Sequence, residues 1–190
     1  MKKLVLASAS PRRREILSTL KVPFEVRVSN ANEDIDTDFN VYDIPKILAE
    51  RKALAVEMSE SEIIIGCDTV VILNNEIFGK PKNRENSIKM LEVFSGKSHD
   101  VVSGICIRTK DKIYSESIKT TVEFKPLTKD EIVHYVDTEK PFDKAGAYGI
   151  QEMAGAFVRK IDGDFYNVVG LPLNRLCEIL ENEFDINLLV

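Results

Sequence analysis

The spacing of apolar positions switches repeatedly between a period of two and a period near four, the signature of alternating strands and helices. Residues 3–8 read as a short buried strand, and Ser10-Pro11 as a helix start, with serine at the N-cap and proline in the first helical position. Residues 24–29 alternate apolar and polar side chains as a strand does, and residues 30–40 make an acidic, polar loop. Ile44, Ile47, Leu48, Leu54, Ala55 and Met58 recur at helical spacing and predict a helix over residues 43–59. Ile63-Ile64-Ile65, continued by Val70-Val71-Ile72-Leu73, predicts a central strand that Asn74-Asn75 turns into Ile77-Phe78. Ile88, Leu91 and Phe94 define a helix over 84–95. Two β-rich stretches, 99–109 and 112–125, meet at a Lys110-Asp111 hairpin, and Thr128-Lys129-Asp130-Glu131 opens another helix with a capping-box pattern. A last strand pair is expected near 156–169, and a closing helix over 172–183.

These elements describe an α/β protein with a mixed β-sheet flanked by helices. The long hairpin argues against a simple doubly wound sheet. No stretch is rich enough in Pro, Gly or Ser to mark a linker, so residues 1–190 are expected to form a single domain, whose length suffices for one well-buried core or two closely joined lobes.

Composition narrows the classes. Hydrophobic residues make up 44% of the chain and charged residues of both signs 30%, which excludes a disordered or membrane-spanning protein. A net charge of −5 argues against a dedicated nucleic-acid binder while leaving room for a local anion site. The opening Met1-Lys2-Lys3-Leu4-Val5-Leu6-Ala7 imitates a secretory signal, but its apolar part stops at Ala7 and Arg12, Arg13 and Arg14 follow, so a cytoplasmic location is expected. The cysteines, Cys67, Cys106 and Cys177, are odd in number and far apart, which suits small buried side chains rather than a disulfide framework or zinc site. His99 and His134 are too isolated for a histidine-based metal site. Any metal should therefore be a hard cation held by oxygen, Mg²⁺ or Mn²⁺.

Five segments carry candidate chemistry. In Ser8-Ala9-Ser10-Pro11-Arg12-Arg13-Arg14-Glu15 a strand runs into a helix whose exposed N–H groups favour an anion. Arginines there are unfavourable for the helix dipole, but they are bidentate donors suited to phosphate. Asp68, within Gly66-Cys67-Asp68-Thr69, sets a carboxylate in an apolar strand, where it needs a lysine, an arginine or a metal to answer it. Gly66 permits close approach and Thr69 adds a hydroxyl. Gly79-Lys80-Pro81 lacks the P-loop frame, so Lys80, like Lys52, is weak evidence by itself. Asp143-Lys144-Ala145-Gly146-Ala147-Tyr148-Gly149-Ile150-Gln151 suits a tight loop over a flat ligand, and Gln151 can both donate and accept toward a pyrimidine edge. Tyr166-Asn167-Val168-Val169-Gly170-Leu171-Pro172 is best explained as turn chemistry.

The order of these segments, with Ser95-Gly96 and His99 between them, closely resembles the Maf family of nucleotide pyrophosphatases over nearly the whole chain. The resemblance implies an elongated α/β fold related to the inosine-triphosphate pyrophosphatases, a homodimer in many cases. It further implies hydrolysis of a nucleoside triphosphate to the monophosphate and pyrophosphate with a divalent cation, Mg²⁺ or Mn²⁺. By motif position, Asp68 matches the catalytic aspartate, while Arg12, Thr69 and Gln151 match positions linked to substrate choice. Glu33, Lys52 and Lys80 align with other site residues, and Ser8 and Arg13 belong to the phosphate segment. Asp68 and Glu33 are the candidate metal ligands. Ala-Tyr-Gly-Ile-Gln is similar to the branch preferring dTTP and UTP. Two positions depart from the family pattern: Cys67 replaces an alanine and Glu152 a glycine.

Carboxylates are weak bases at neutral pH, so holding a metal and positioning water is the expected role of Asp68. A nucleotide-binding regulatory protein affecting cell division or septum formation remains the alternative; it would need the phosphate cradle but not Asp68. The expected partner is the nucleoside triphosphate, with neither nucleic acid nor membrane.

Overall fold

The computed structural model describes residues 2–34 and 39–190. In chain order the elements are β1 (Lys3–Leu6), α1 (Pro11–Ser18), β2 (Phe24–Val26), α2 (Ile44–Leu54), β3 (Glu62–Leu73), β4 (Glu76–Phe78), α3 (Arg84–Phe94), β5 (Ser98–Arg108), β6 (Ile113–Phe124), α4 (Lys129–Glu139), β7 (Val158–Asp162), α5 (Phe165–Val169) and α6 (Leu173–Phe184). Six strands follow the order β2-β1-β3-β5-β6-β7, and β4 pairs with β3 to complete a seven-stranded sheet. The sheet is mixed, because β1 runs parallel to β2 and β3, whereas β3–β4 and β6–β7 are antiparallel. A mixed α/β fold is thus what the alternating hydrophobic pattern builds.

The chain divides into two compact units, each made of several segments. The first comprises residues 1–68, 103–118 and 170–190. In it Val5, Ala7, Ala49, Ala53, Val56, Ile64 and Cys106 pack as one apolar cluster. Two glycines seat α2 there. A Cβ at Gly66 would lie 2.2 Å from the Ala49 carbonyl oxygen, and one at Gly104 would lie 1.9 Å from that of Pro45. Only a residue without a side chain lets the helix backbone come so near the strands.

The second unit comprises residues 69–102 and 119–169. Its core gathers Leu91, Phe94, Val101, Val122, Phe124, Tyr135, Tyr148 and Phe157. Asn74 and Asn75 turn β3 into β4 with positive φ of 52° and 62°, a conformation asparagine tolerates better than most residues. The Thr128 hydroxyl accepts from the Glu131 N–H, and the Glu131 carboxylate accepts from the Thr128 N–H, closing the expected capping box on α4.

Four expectations need adjustment. The second strand stops at Val26, earlier than residue 29. Helix α2 ends at Leu54 rather than near residue 59, because Arg108 Nη1 donates to the carbonyls of Ala53, Leu54 and Val56 and satisfies the helix end. The expected strand pair near 156–169 is one strand, β7, followed by the short helix α5. The buried Asn167 amide donates to the Val101 carbonyl and the Thr120 hydroxyl, and those two bonds hold the segment in helical form despite its β-prone Phe-Tyr-Asn-Val-Val sequence. Ser10 sits at the N-cap of α1 but its side chain makes no capping bond. Of the acidic loop over 30–40, residues 35–38 lie outside the described residues.

Candidate active site

Side chains alternate along β3, so Ile64, Gly66 and Asp68 share one face. The close approach at Gly66 sets α2 on that face, and the next residues of the helix bring Lys52 to Asp68. Lys52 Nζ lies 2.6 Å from Asp68 Oδ1 and 2.8 Å from Glu33 Oε1. The side chains of Lys52 and Asp68 are each 12% exposed, whereas Glu33 is largely in solvent at 62%. Burial alone would lower the Lys52 pKa; attraction to Asp68 and hydrogen bonds to Asp68 and Glu33 outweigh it, so the ammonium titrates above the ordinary lysine value. Its neighbour Arg51 donates to the Asp34 carbonyl at 2.5 Å, fastening the segment that carries Glu33 to the same helix. The carboxylate that the apolar strand made costly is therefore answered by Lys52.

Arg13 does something the sequence did not suggest. Its Nε donates to the Gly170 carbonyl and its Nη1 to the Cys67 carbonyl, each at 2.8 Å. Nη1 also lies 3.2 Å from the buried Ser8 hydroxyl, which accepts from the Ser10 N–H as well. The Cys67 thiol donates to the Gly170 carbonyl at 3.2 Å. Arg13, Ser8, Cys67 and Gly170 thus form one connected set that includes the residue next to Asp68. Backbone carbonyls have no side-chain signature, which is why these partners were invisible in the sequence. Arg12 is half-buried on the first turn of α1, and Arg14 is exposed.

The remaining candidates lie in the second unit. Thr69 follows Asp68 on β3 and is half-buried; Lys80 is exposed. The Gly146 N–H donates to the Gly79 carbonyl at 3.0 Å, tying the segment of Lys80 to the loop that leads to Gln151. Gly146 itself has φ of +67°, and a Cβ there would press on Val71. Tyr148 is buried, with its hydroxyl 2.9 Å from His99 Nε2. Burial among Phe94, Phe124 and Tyr148 holds the imidazole neutral, lowering its pKa to about 4 against a small opposing pull from Asp100. The Tyr135 hydroxyl oxygen accepts from the Gly149 N–H at 3.2 Å. Gln151 is exposed at the end of this anchored loop.

Among the described residues no group of three or more His, Cys, Asp and Glu side chains converges. Asp68 and Glu33 do converge, on the ammonium of Lys52. Two carboxylates brought to one point suit Mg²⁺ or Mn²⁺, which take one or two protein carboxylates and complete their shells with water and phosphate oxygens, provided the Lys52 ammonium that bridges them turns aside.

Fold and site together define an α/β protein with a carboxylate pair neutralised by a helix-borne lysine. Residues 3–183 match the family described as Maf-like protein. The chain belongs to this family. A protein of Alkaliphilus oremlandii named dTTP/UTP pyrophosphatase is 48% identical over 194 residues, covering 100% of both chains. One of the same name from Thermosipho africanus is 46% identical, covering 94% of this chain and 92% of its own. Among solved structures, the Ham1 protein of Staphylococcus aureus aligns with 65% of this chain and 72% of its own, at 18% identity and a TM-score of 0.46.

Proposed function

We propose that this chain hydrolyses nucleoside triphosphates, dTTP and UTP foremost, to the nucleoside monophosphate and pyrophosphate. The observation that carries the reading is the buried Asp68 carboxylate held at 2.6 Å by Lys52, with Glu33 on the same ammonium. The family and the dTTP/UTP pyrophosphatases at 46–48% identity support the reaction class.

In this reading a water oxygen bonds to the α-phosphorus while the bridging P–O bond to the β-phosphate breaks, and pyrophosphate leaves with the electron pair. Such chemistry rests on positioning and charge neutralisation rather than on a covalent nucleophile. Asp68 orients the attacking water, whose proton passes to solvent. Lys52, Arg12 and Lys80 neutralise the triphosphate; Arg13 holds the carbonyls of Cys67 and Gly170 and so keeps the strand bearing Asp68 in place. Thr69 and Gln151 address the nucleoside. Asp68 and Glu33 would hold a divalent cation, which supplies charge neutralisation and acidifies bound water. Cys67, Cys106 and Cys177 form no disulfide among the described residues, as suits the reducing cytoplasm proposed as its location.

The test is a panel of nucleoside triphosphates with Mg²⁺ or Mn²⁺, read for pyrophosphate release. The expected result is faster release from dTTP and UTP than from ATP or GTP. Equal rates on all four would remove the role given to Gln151, and tight binding with no release from any would favour a nucleotide-responsive regulatory protein instead.

A further inference from the structure

Gln151 belongs to a four-residue turn whose ends are fixed by groups with no part in the proposed chemistry. The Glu152 N–H donates to the Gly149 carbonyl at 3.1 Å, so Ile150 and Gln151 are the two central residues of the turn. Its first residue is held by the Tyr135 hydroxyl, which accepts from the Gly149 N–H. Its last residue is held by charge. Lys144 is 8% exposed, and its Nζ lies 3.2 Å from Glu152 Oε2 and 2.9 Å from Asp143 Oδ1. Asp143 is mostly in solvent at 58%, whereas Glu152 is 32% exposed, so Glu152 is the better sheltered partner of this ammonium.

Gly149 fixes the geometry further. A Cβ there would lie 2.8 Å from Glu152 Oε2 and 2.8 Å from Lys144 Cε. The backbone at 149 therefore lies directly against the ion pair, and the pair closes the base of the turn like a staple. An ion pair between two mobile surface side chains contributes little, because ordering both offsets the attraction. Here Lys144 is already fixed by burial, so pairing with it restricts chiefly Glu152, the residue next to Gln151.

We propose that Glu152, through its pair with buried Lys144, is a positioning residue that fixes the orientation of Gln151 and thereby sets the preference among nucleobases. The inference rests on the assignment of Gln151 to the base. Glu152 touches no reacting atom; it confines the turn so that the Gln151 amide is presented in one orientation, and pre-organisation of this kind lowers the entropy lost on binding. The affected ligands are nucleoside triphosphates whose base offers adjacent carbonyl and N–H groups.

The test compares Glu152→Ala, Glu152→Gln and Gln151→Ala with the unaltered protein, each assayed on dTTP and ATP with Mg²⁺. Glu152→Gln keeps an oxygen that can accept from Lys144, whereas Glu152→Ala keeps none. The expected result is that Glu152→Ala raises the KM for dTTP about fivefold, a loss in the range of one ion pair, while kcat for dTTP and the constants for ATP change less than about twofold. Glu152→Gln should recover at least half of that loss on a logarithmic scale. A merely structural role would lower kcat for both nucleotides together and depress Tm in proportion, and that pattern overturns the proposal. If Gln151→Ala lowers the dTTP preference and Glu152→Ala leaves it intact, the positioning role fails while the base assignment stands. Should Gln151→Ala itself leave the preference unchanged, the base assignment fails and the positioning role with it.

Discussion

Gly66→Ala tests the link between packing and the site. The added methyl would lie 2.2 Å from the Ala49 carbonyl oxygen and 3.0 Å from Ala53 Cβ, whereas ordinary contact begins near 3.4 Å. Both neighbours belong to α2, one of them backbone, so no flexible side chain can yield. Interiors are packed too densely to absorb the clash, and the helix must retreat by about 1 Å. Lys52 rides on that helix, and a 2.6 Å bond to Asp68 stretched by as much no longer meets hydrogen-bond geometry. Overpacking of this kind costs about 1–3 kcal/mol. In a chain of this length that lowers Tm by about 2–12 °C. Misplacing a catalytic group by about 1 Å can cost about a hundredfold in rate. The assay is pyrophosphate release from dTTP at 25 °C, well below the lowered Tm, beside a thermal melt. Gly79→Ala, whose Cβ would meet nothing within 4 Å, is the control for the melt and should leave Tm unchanged. A Gly66→Ala protein with kcat/KM within twofold of the unaltered protein would refute the reasoning, whatever its Tm.

Two further outcomes follow from charge. His99 has a folded pKa depressed from 6.5 to about 4, so its neutral form stabilises the fold fully above pH 6.5 and that contribution is lost as pH falls toward 4. The loss amounts to at most about 3 kcal/mol, and His99→Gln should flatten the Tm–pH curve between those limits relative to the unaltered protein; identical curves would contradict it. Lys52→Met leaves Asp68 and Glu33 facing each other without their shared cation, so Mn²⁺ should raise the Tm of this variant by several degrees more than that of the unaltered protein. Equal Mn²⁺ shifts in both would argue against a cation held by that carboxylate pair.

Much of the framework was legible in the sequence because its signals are local. The run Ile63-Ile64-Ile65 and Val70-Val71-Ile72-Leu73 could only be a buried strand, and β3 spans Glu62–Leu73. Thr128 and Glu131 are three residues apart, and their reciprocal bonds need nothing from the rest of the fold. What escaped depends on partners distant in sequence. Phe165–Val169 has strand-like composition, and it is helical because Asn167 bonds to Val101 and Thr120. Arg13 looked like a phosphate ligand, yet two of its donors meet the carbonyls of Cys67 and Gly170, 54 and 157 residues away. Gly66 was legible as a point of close approach, but not that the approaching backbone is α2. Lys144 and Glu152 are close in sequence, but nothing in their spacing tells that Lys144 is buried; the small residues Ala145, Gly146, Ala147 and Gly149 between them were the available signal.

The role of Asp68 is tested most directly by Asp68→Asn, assayed for pyrophosphate release from dTTP alongside nucleotide binding by calorimetry. Asparagine keeps the shape and can still accept from Lys52, so the fold and the nucleotide affinity should survive. The expected result is a fall in kcat of at least about 10³-fold, the scale reached when a single preorganised electrostatic contact is removed, with Kd changed by only a few-fold. Undiminished pyrophosphate release by the Asp68→Asn variant would contradict the assignment of catalysis to this carboxylate.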